Sequence, residues 1–245
     1  MDTVDMDGIP VTFAVSVPPD RHADVRAAPH FRRWLLQAAS RFDLRAVAVR
    51  DVVFFGHRVG FILVEADAWH AGRQVPGAAL LRGDSVSVLV VLHCPGHPPR
   101  TILTCEPRLP VACPDLLALP AGMLDGGQLV STALRELAEE VGTDLTVRAD
   151  MLVELTTVWL SPGGCDEAIT LYAVDLDIDA QAMRALDGRR TGNACEHETI
   201  HLRIIDLDAI PGIGRTDAKT LLSYHLYRNL KDRSPGPADM VSKTE

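Results

Sequence analysis

The sequence lacks four features that would each have pointed to a class of function. It has no excess of positive charge: the formal net charge is -9 and the pI is about 5.4. Extended nucleic-acid binding needs a basic face and is therefore disfavoured. It has no apolar run near the roughly 20 residues needed to cross a bilayer, so no membrane span is expected. Residues 1–10 carry Asp2, Asp5 and Asp7 and no basic stretch, which excludes a secretory signal within them. There is no CxxC pair among the five cysteines, and their number is odd. They read as reduced thiols of an intracellular, cytoplasmic protein. Cys94 lies near His93 and His97, but that spacing fits no zinc template. No internal repeat is present.

What remains is a chain of 245 residues, 47% of them hydrophobic, enough for a substantial core. The length suits one large domain, or a catalytic domain with a smaller companion region. A strand is expected over 11–17 and an amphipathic helix over 30–42, where Phe31, Trp34, Leu35 and Ala38 recur at helical spacing. The apolar runs 44–55 and 58–67, parted by Gly56-His57, predict a hairpin. Further strands are expected at 85–93 and 100–105. The proline-broken stretch 107–122 reads as irregular.

Val130, Leu134, Leu137 and Val141 form one apolar stripe, predicting a helix over 129–141 with Gly142 in the C-cap position. Strands at 151–159, 168–176 and 199–205, a short helix near 178–186 and a final helix over 216–230 complete the pattern. The Pro- and Gly-containing tail from Arg233 is expected to be disordered. Strands and helices in this order predict a mixed α/β (α+β) sandwich rather than a regular βαβ alternation.

The chemistry lies in Arg135-Glu136-Leu137-Ala138-Glu139-Glu140-Val141-Gly142. On a helix Glu136, Glu139 and Glu140 share one face, where like charges repel by about 0.2–0.5 kcal/mol per pair. Arg135 can relieve part of this by pairing with Glu139 one turn on. A hard divalent cation would relieve more, since Mg²⁺ favours carboxylate oxygens. Alone, the cluster could equally be a solvated acidic face. The loop Leu119–Gly127 just upstream could bring backbone groups to a phosphate or a metal, and it tips the balance.

Leu-Pro-Ala-Gly, a loop, and then Arg-Glu-Leu-x-Glu-Glu-x-Gly resembles the Nudix box. The resemblance extends to LPAGMLD (119–125), SPGGCDE (161–167), RVGF (58–61), Val75-Pro76-Gly77, Arg82-Gly83-Asp84-Ser85 and Thr216-Asp217-Ala218-Lys219. Over about 45–230 the chain is similar to ADP-sugar and UDP-sugar diphosphatases (ADP-ribose pyrophosphatase-like) of that superfamily, above all the plant ADP-sugar type.

The resemblance implies a Nudix α/β/α sandwich with a mixed sheet over 81–232. It also implies an N-terminal sheet-and-helix region over 1–80 for dimerisation and substrate cover, with 233–245 as tail. It implies that Glu136, Glu139 and Glu140 hold Mg²⁺, with Mn²⁺ as an alternative, and that Ala121 offers its backbone carbonyl. Arg135 would orient the glutamates. In Glu196-His197-Glu198-Thr199-Ile200, Glu198 matches the late glutamate that acts as ligand or general base. Arg108 and, with less support, Arg82 match arginines that contact the diphosphate, and Gly122, Ser161 and Gly163 shape the approach of substrate. Cys165 reads as a packed thiol, because the reaction needs no covalent step. Trp34, Phe54, Phe55 and Trp159 are candidates for stacking on a base, though such residues more often belong to a core.

The chain departs from the pattern at Gln128, where the box has a glutamate, at Ala118, and in a Gly122-to-Arg135 spacing one residue short. The implied reaction is hydrolysis of a nucleoside diphosphate sugar such as ADP-ribose, ADP-glucose or UDP-glucose by a homodimer. The products would be a nucleoside monophosphate and a sugar phosphate. A dinucleotide or coenzyme diphosphatase, or a Nudix-fold binding module without catalysis, are the alternatives. The intact Arg135, Glu136, Glu139 and Glu140 speak against the last.

Overall fold

The computed structural model describes residues 3–124, 128–142, 145–192 and 199–233. Glu198 and the tail beyond Arg233 thus lie outside the described residues. The chain forms two compact units. One comprises Met1–Asp84, Leu124–Gly126 and Val158–Ile169; the other comprises Ser85–Met123, Gly127–Thr157 and Thr170–Glu245.

In the first unit the strands run β1 (Thr3–Met6), β2 (Ile9–Phe13), β3 (Asp43–Phe55), β4 (Arg58–His70) and β5 (Arg73–Gln74) across the sheet, and β6 (Ala78–Leu81) also pairs with β4. β1 and β2 form a hairpin across Asp7-Gly8, a dipeptide suited to a tight turn. β2 lies parallel to β3, and the crossover between them holds α1 (His22–Ala27) and α2 (Pro29–Arg41). β2 is shorter than the strand expected over 11–17. Val17 N–H turns back to the Ala14 carbonyl at 3.0 Å, and Pro18 and Pro19 have no N–H to extend a ladder. β4 alternates between buried Ile62, Val64, Ala66 and Ala68 and exposed Leu63 and Glu65. The buried set packs with Phe31 and Leu35 of α2 and with Val47, Val49 and Leu81. Each valine, leucine, isoleucine or phenylalanine buried in this way stabilises by about 1.5–3 kcal/mol relative to exposure.

The second unit is built on a sheet ordered β11 (Val153–Trp159), β12 (Ala168–Asp177), β7 (Ser85–His93), β8 (Arg100–Arg108), β14 (Ile200–Asp206) and β13 (Arg190–Thr191). β7 and β8 pair at Val91–Thr101 and Leu92–Arg100. β10 (Ala121–Met123) pairs with the first half of β7, and β9 (Cys113–Ala118) pairs with the second half of β8. The stretch 107–122, expected to be irregular, therefore holds two short strands. Its prolines are accommodated at strand starts, links and a register shift between Glu106 and Arg108.

β7 is buried along nearly its whole length, as its apolar run demands. Leu89 and Val91 join a core closed by Leu207, Ile210 and Tyr227, the last from α5 (Ala218–Arg233). α3 (Leu129–Glu136) packs on β7 and β10, and α4 (Ala180–Leu186), capped by Asp179, packs on β14. This is the mixed α+β architecture expected from the sequence. No helix among the described residues is long and apolar enough to cross a membrane.

Candidate active site

The candidate site grows from the link between β9 and β10. Pro120 has no N–H to give, and its carbonyl accepts from Val88 N at 3.0 Å and Ser87 Oγ at 2.9 Å. Thr104 Oγ1 donates to the Ala118 carbonyl at 3.2 Å. From the other side, the start of α5 holds the same link. Thr216 Oγ1 donates to the Leu117 carbonyl at 2.6 Å, and Leu119 N–H donates to Thr220 Oγ1 at 3.1 Å. Asp217 caps the helix through Thr220 N at 3.0 Å and also accepts from the Thr220 hydroxyl at 2.7 Å. This docking gives the Thr216–Lys219 segment of the resemblance a structural role. Thr220, one residue beyond that motif, went unread. Its signal was a threonine three residues after a capping aspartate.

Against β10 lies the acidic turn. Gln128 precedes α3, and the helical spacing continues as a π-helical turn over Leu137–Val141. That turn closes with Gly142 N–H on the Leu137 carbonyl at 3.2 Å. Widened turns of this kind recur at functional sites. Gly142 has φ 104 and ψ 165, a region open essentially to glycine alone.

Arg135 reaches Glu136 at 2.6 Å and Glu139 at 3.0 Å, as the helical spacing predicted for Glu139. Glu139 stays exposed, whereas Glu140 is buried and its Oε2 accepts from Ala121 N–H at 3.2 Å. Glu136 folds over Gly122 so closely that an added Cβ there would stand 1.8 Å from its Cδ. The carboxylates of Glu136 and Glu140 therefore both come down on β10, and Gly122 is the cradle for one of them.

Among the described residues, no three histidine, cysteine, aspartate or glutamate side chains close around one point. In kind, the donors still fit a hard divalent cation. Two glutamates, one buried and one largely withdrawn from water, stand beside the same strand, with Arg135 shared between Glu136 and Glu139. Glu140 and Glu136 are the residues that would hold such an ion. For Ala121, the structure shows its N–H engaged with Glu140.

Arg108, at the end of β8, is held by the buried Glu106 at 2.6 Å. Glu106 is a partner the sequence reading did not single out. Arg82, Ser161 and Gly163 belong to the first unit. There Arg82 pairs with Glu167 at 3.2 Å, and its N–H donates to Asp166 at 2.7 Å. Ser161 opens a turn in which its carbonyl accepts from Gly164 and Cys165, and the Gly164 carbonyl accepts from Leu80 N at 2.8 Å. Burial pushes the Cys165 thiol above its ordinary pKa, the opposite of what an activated nucleophile needs. Of the aromatic candidates, Trp34 packs against the first unit's core and Trp159 is largely exposed.

A NUDIX domain matches residues 82–224. The chain is 34% identical over 218 residues to "Nudix hydrolase 14, chloroplastic" of Arabidopsis thaliana, covering 80% of this chain and 69% of that protein. It is 38% identical over 99 residues to "Putative nudix hydrolase 2" of Caenorhabditis elegans, covering 40% of this chain and 42% of that protein. A solved structure, "Crystal structure of ADP compounds hydrolase", shares the fold with a TM-score of 0.53 at 16% identity, over 79% of this chain and 96% of that one. The chain belongs to the NUDIX family and is a Nudix hydrolase. Hydrolases of this family generally use divalent metal ions.

Proposed function

We propose that this hydrolase cleaves the diphosphate bridge of a nucleoside diphosphate sugar (ADP-ribose, ADP-glucose or UDP-glucose), releasing a nucleoside monophosphate and a sugar phosphate, with Mg²⁺ or Mn²⁺ as cofactor. The observation that carries the reading is the convergence of Glu136 and Glu140 on Ala121-Gly122. A solved structure of the same fold is described as an ADP compounds hydrolase, in keeping with the ADP-sugars of that group.

A hard divalent cation neutralises diphosphate charge and makes water acidic enough to act at neutral pH. The chain's own residues supply the rest. Glu136 and Glu140 offer oxygen donors, and Glu139 adds a third carboxylate. Arg135 fixes two of these by charge-assisted hydrogen bonds. Arg108 brings a guanidinium, held by Glu106, to the charge that develops on the leaving phosphate. Glu198 accepts the proton of the attacking water, and the Ala121 carbonyl serves the cation. Gly122, Arg82, Ser161 and Gly163 are assigned to substrate.

The reading includes a homodimer formed through residues 1–80. Its support is apolar surface left exposed on the first unit at Val53, Phe55, Leu63 and Leu80. Light scattering at micromolar concentration is expected to give twice the chain mass. The four described cysteines are free thiols, in keeping with an intracellular setting.

The experiment is a phosphatase-coupled phosphate-release assay over a panel of nucleotide sugars, dinucleotides and coenzymes with Mg²⁺. Nucleotide sugars are expected to be turned over fastest. A dinucleotide or coenzyme leading the panel would move the substrate class. Glu140→Gln is expected to lower kcat by orders of magnitude with the fold intact. Wild-type turnover in that variant at saturating Mg²⁺ would defeat the site assignment. Glu198→Gln is expected to cost at least about a hundredfold, as a general base does; a loss under about tenfold places the base elsewhere.

A further inference from the structure

The acidic turn is gripped from behind as well as in front. A helix ends with carbonyls that have no partner inside the helix. At Glu140 that carbonyl accepts a short hydrogen bond from the Thr191 hydroxyl, 51 residues further along the chain. Thr191 is itself tied down. β13 pairs with β14 at Arg190–His201 and Thr191–Ile200, and Gly188 N–H and the Arg189 carbonyl each bond Leu202 at 2.9 Å. Arg189 lies over the end of the turn, where an added Cβ on Gly142 would meet its Nη2 at 2.3 Å. Glycine is thus required at 142 by its dihedral angles, and the Arg189 guanidinium occupies the space a side chain there would take. A cation at a helix C-terminus is also favourable electrostatically.

We propose that Thr191, with Arg189 beside it, is a positioning residue for Glu140: it holds the turn in its widened form so that the Glu140 carboxylate meets β10 as a cation ligand. The inference rests on the metal-dependent reading above. The physical reason lies in the pitch of the turn. Glu140 is fixed at its carboxylate by Ala121 N–H and at its carbonyl by Thr191. A π-helical turn spreads its residues wider than an α-helical one, so its side chains leave the axis in different directions. Without the hydroxyl, the Glu140 carbonyl loses the bond that Thr191 gives it. The end of the turn is then no longer tied to β13 and is free to tighten toward α-helical pitch, which rotates Glu140 away from Ala121.

Thr191→Val keeps the shape of the side chain and removes the donor; Thr191→Ser keeps the donor. The test is Mn²⁺ binding followed by electron paramagnetic resonance of the free ion, with no substrate present, alongside Tm and steady-state kinetics. Thr191→Val is expected to raise the Mn²⁺ Kd about tenfold, the lower end of what outer partners of metal ligands contribute, and to lower kcat with little change in KM. Thr191→Ser is expected to restore both to within about twofold of wild type.

Arg189→Met gives a second route that leaves the hydroxyl in place, with an expected rise in Kd of about threefold, equivalent to half a decade of the 1.4 kcal/mol that each tenfold represents. A wild-type Mn²⁺ Kd in Thr191→Val and Arg189→Met, with only Tm lowered, would show a purely structural clasp and overturn the inference. A Thr191→Ser as impaired as Thr191→Val would do the same. Wild-type protein that binds no Mn²⁺ and hydrolyses nothing in the panel overturns the metal-dependent reading itself. Wild-type activity with an indifferent Thr191 overturns this inference alone.

Discussion

Replacing Gly122 with alanine puts a methyl group where the Glu136 side chain already lies. The new Cβ would stand 1.8 Å from Cδ, 2.0 Å from Oε1 and 2.3 Å from Cγ of Glu136. Carbon atoms settle at about 3.5–4.0 Å, so something must move by well over 1 Å. β10 is the harder element to move, since all three of its residues are in register with β7 and Ala121 also binds Glu140. The Glu136 carboxylate, at the free end of a flexible side chain, yields instead. An off-rotamer side chain costs about 0.5–1.5 kcal/mol. Losing an exposed partner such as Arg135 costs at most about 1 kcal/mol. The stability loss should therefore stay near 1–2 kcal/mol, a few degrees in Tm. The functional loss should be far larger, because a displacement of about 1 Å in a reacting constellation costs on the order of a hundredfold.

The assay is kcat/KM on the best panel substrate together with thermal unfolding of the same preparation. Gly212→Ala is the control, since nothing lies within 4 Å of the Cβ it would add. Gly122→Ala is expected to lose at least about a hundredfold in kcat/KM with a folded protein. Activity within about threefold of wild type would refute the claim that Glu136 works from its seat on β10.

Two further outcomes test how the second unit is held together. Thr220 is fully buried, and its oxygen accepts the Leu119 N–H. Thr220→Val leaves that donor buried without a partner and is expected to cost about 1–3 kcal/mol in denaturant unfolding; a loss below about 0.5 kcal/mol would contradict the docking role. Asp175 is raised by burial, but hydrogen bonds from His93 and Tyr227 at 2.6 Å and Lys231 at 2.8 Å outweigh this and hold its pKa below the ordinary 3.8. A carboxyl depressed in the folded state adds stability above its unfolded pKa and loses it as the pH falls through the folded one. The Tm gap between wild type and Asp175→Asn should thus be full near neutrality and close below about pH 4. A gap that is constant with pH would refute the ionic origin.

The sequence spelled out the long elements because each carries its own periodic signal. The run Val86–Leu92 could only be a covered strand, and β7 occupies the expected residues. The crossover helix α2 follows Phe31 and Leu35, which are buried as their spacing required. β9 and β10 were illegible for the opposite reason. They are short and interrupted by prolines, and they exist because β7 and β8 part and leave backbone groups to be met. β1 offered only the Asp7-Gly8 turn as a clue. The π-helical turn is equally silent, since the apolar stripe to Val141 reads the same at either pitch.

At the candidate site, residue type and spacing group Glu136, Glu139 and Glu140 on one face, and the flanking motifs single them out as metal-ligand candidates. Which of them is buried depends on β10, so the contrast between exposed Glu139 and buried Glu140 came only with the tertiary structure. Thr191 was invisible for the same reason, being 51 residues from the carbonyl it serves.

The bond from Leu119 to Thr220 spans 101 positions of the chain. Translation runs in one direction, so the acidic turn and β10 leave the ribosome long before the threonine that fixes the link beneath them. A nascent chain stalled before residue 220 would carry every carboxylate of the site, yet the link ahead of the strand they rest on would be held from one side alone. In such a fragment β10 would keep its pairing with β7, and the link before it would lack the bonds that reach it from the start of α5.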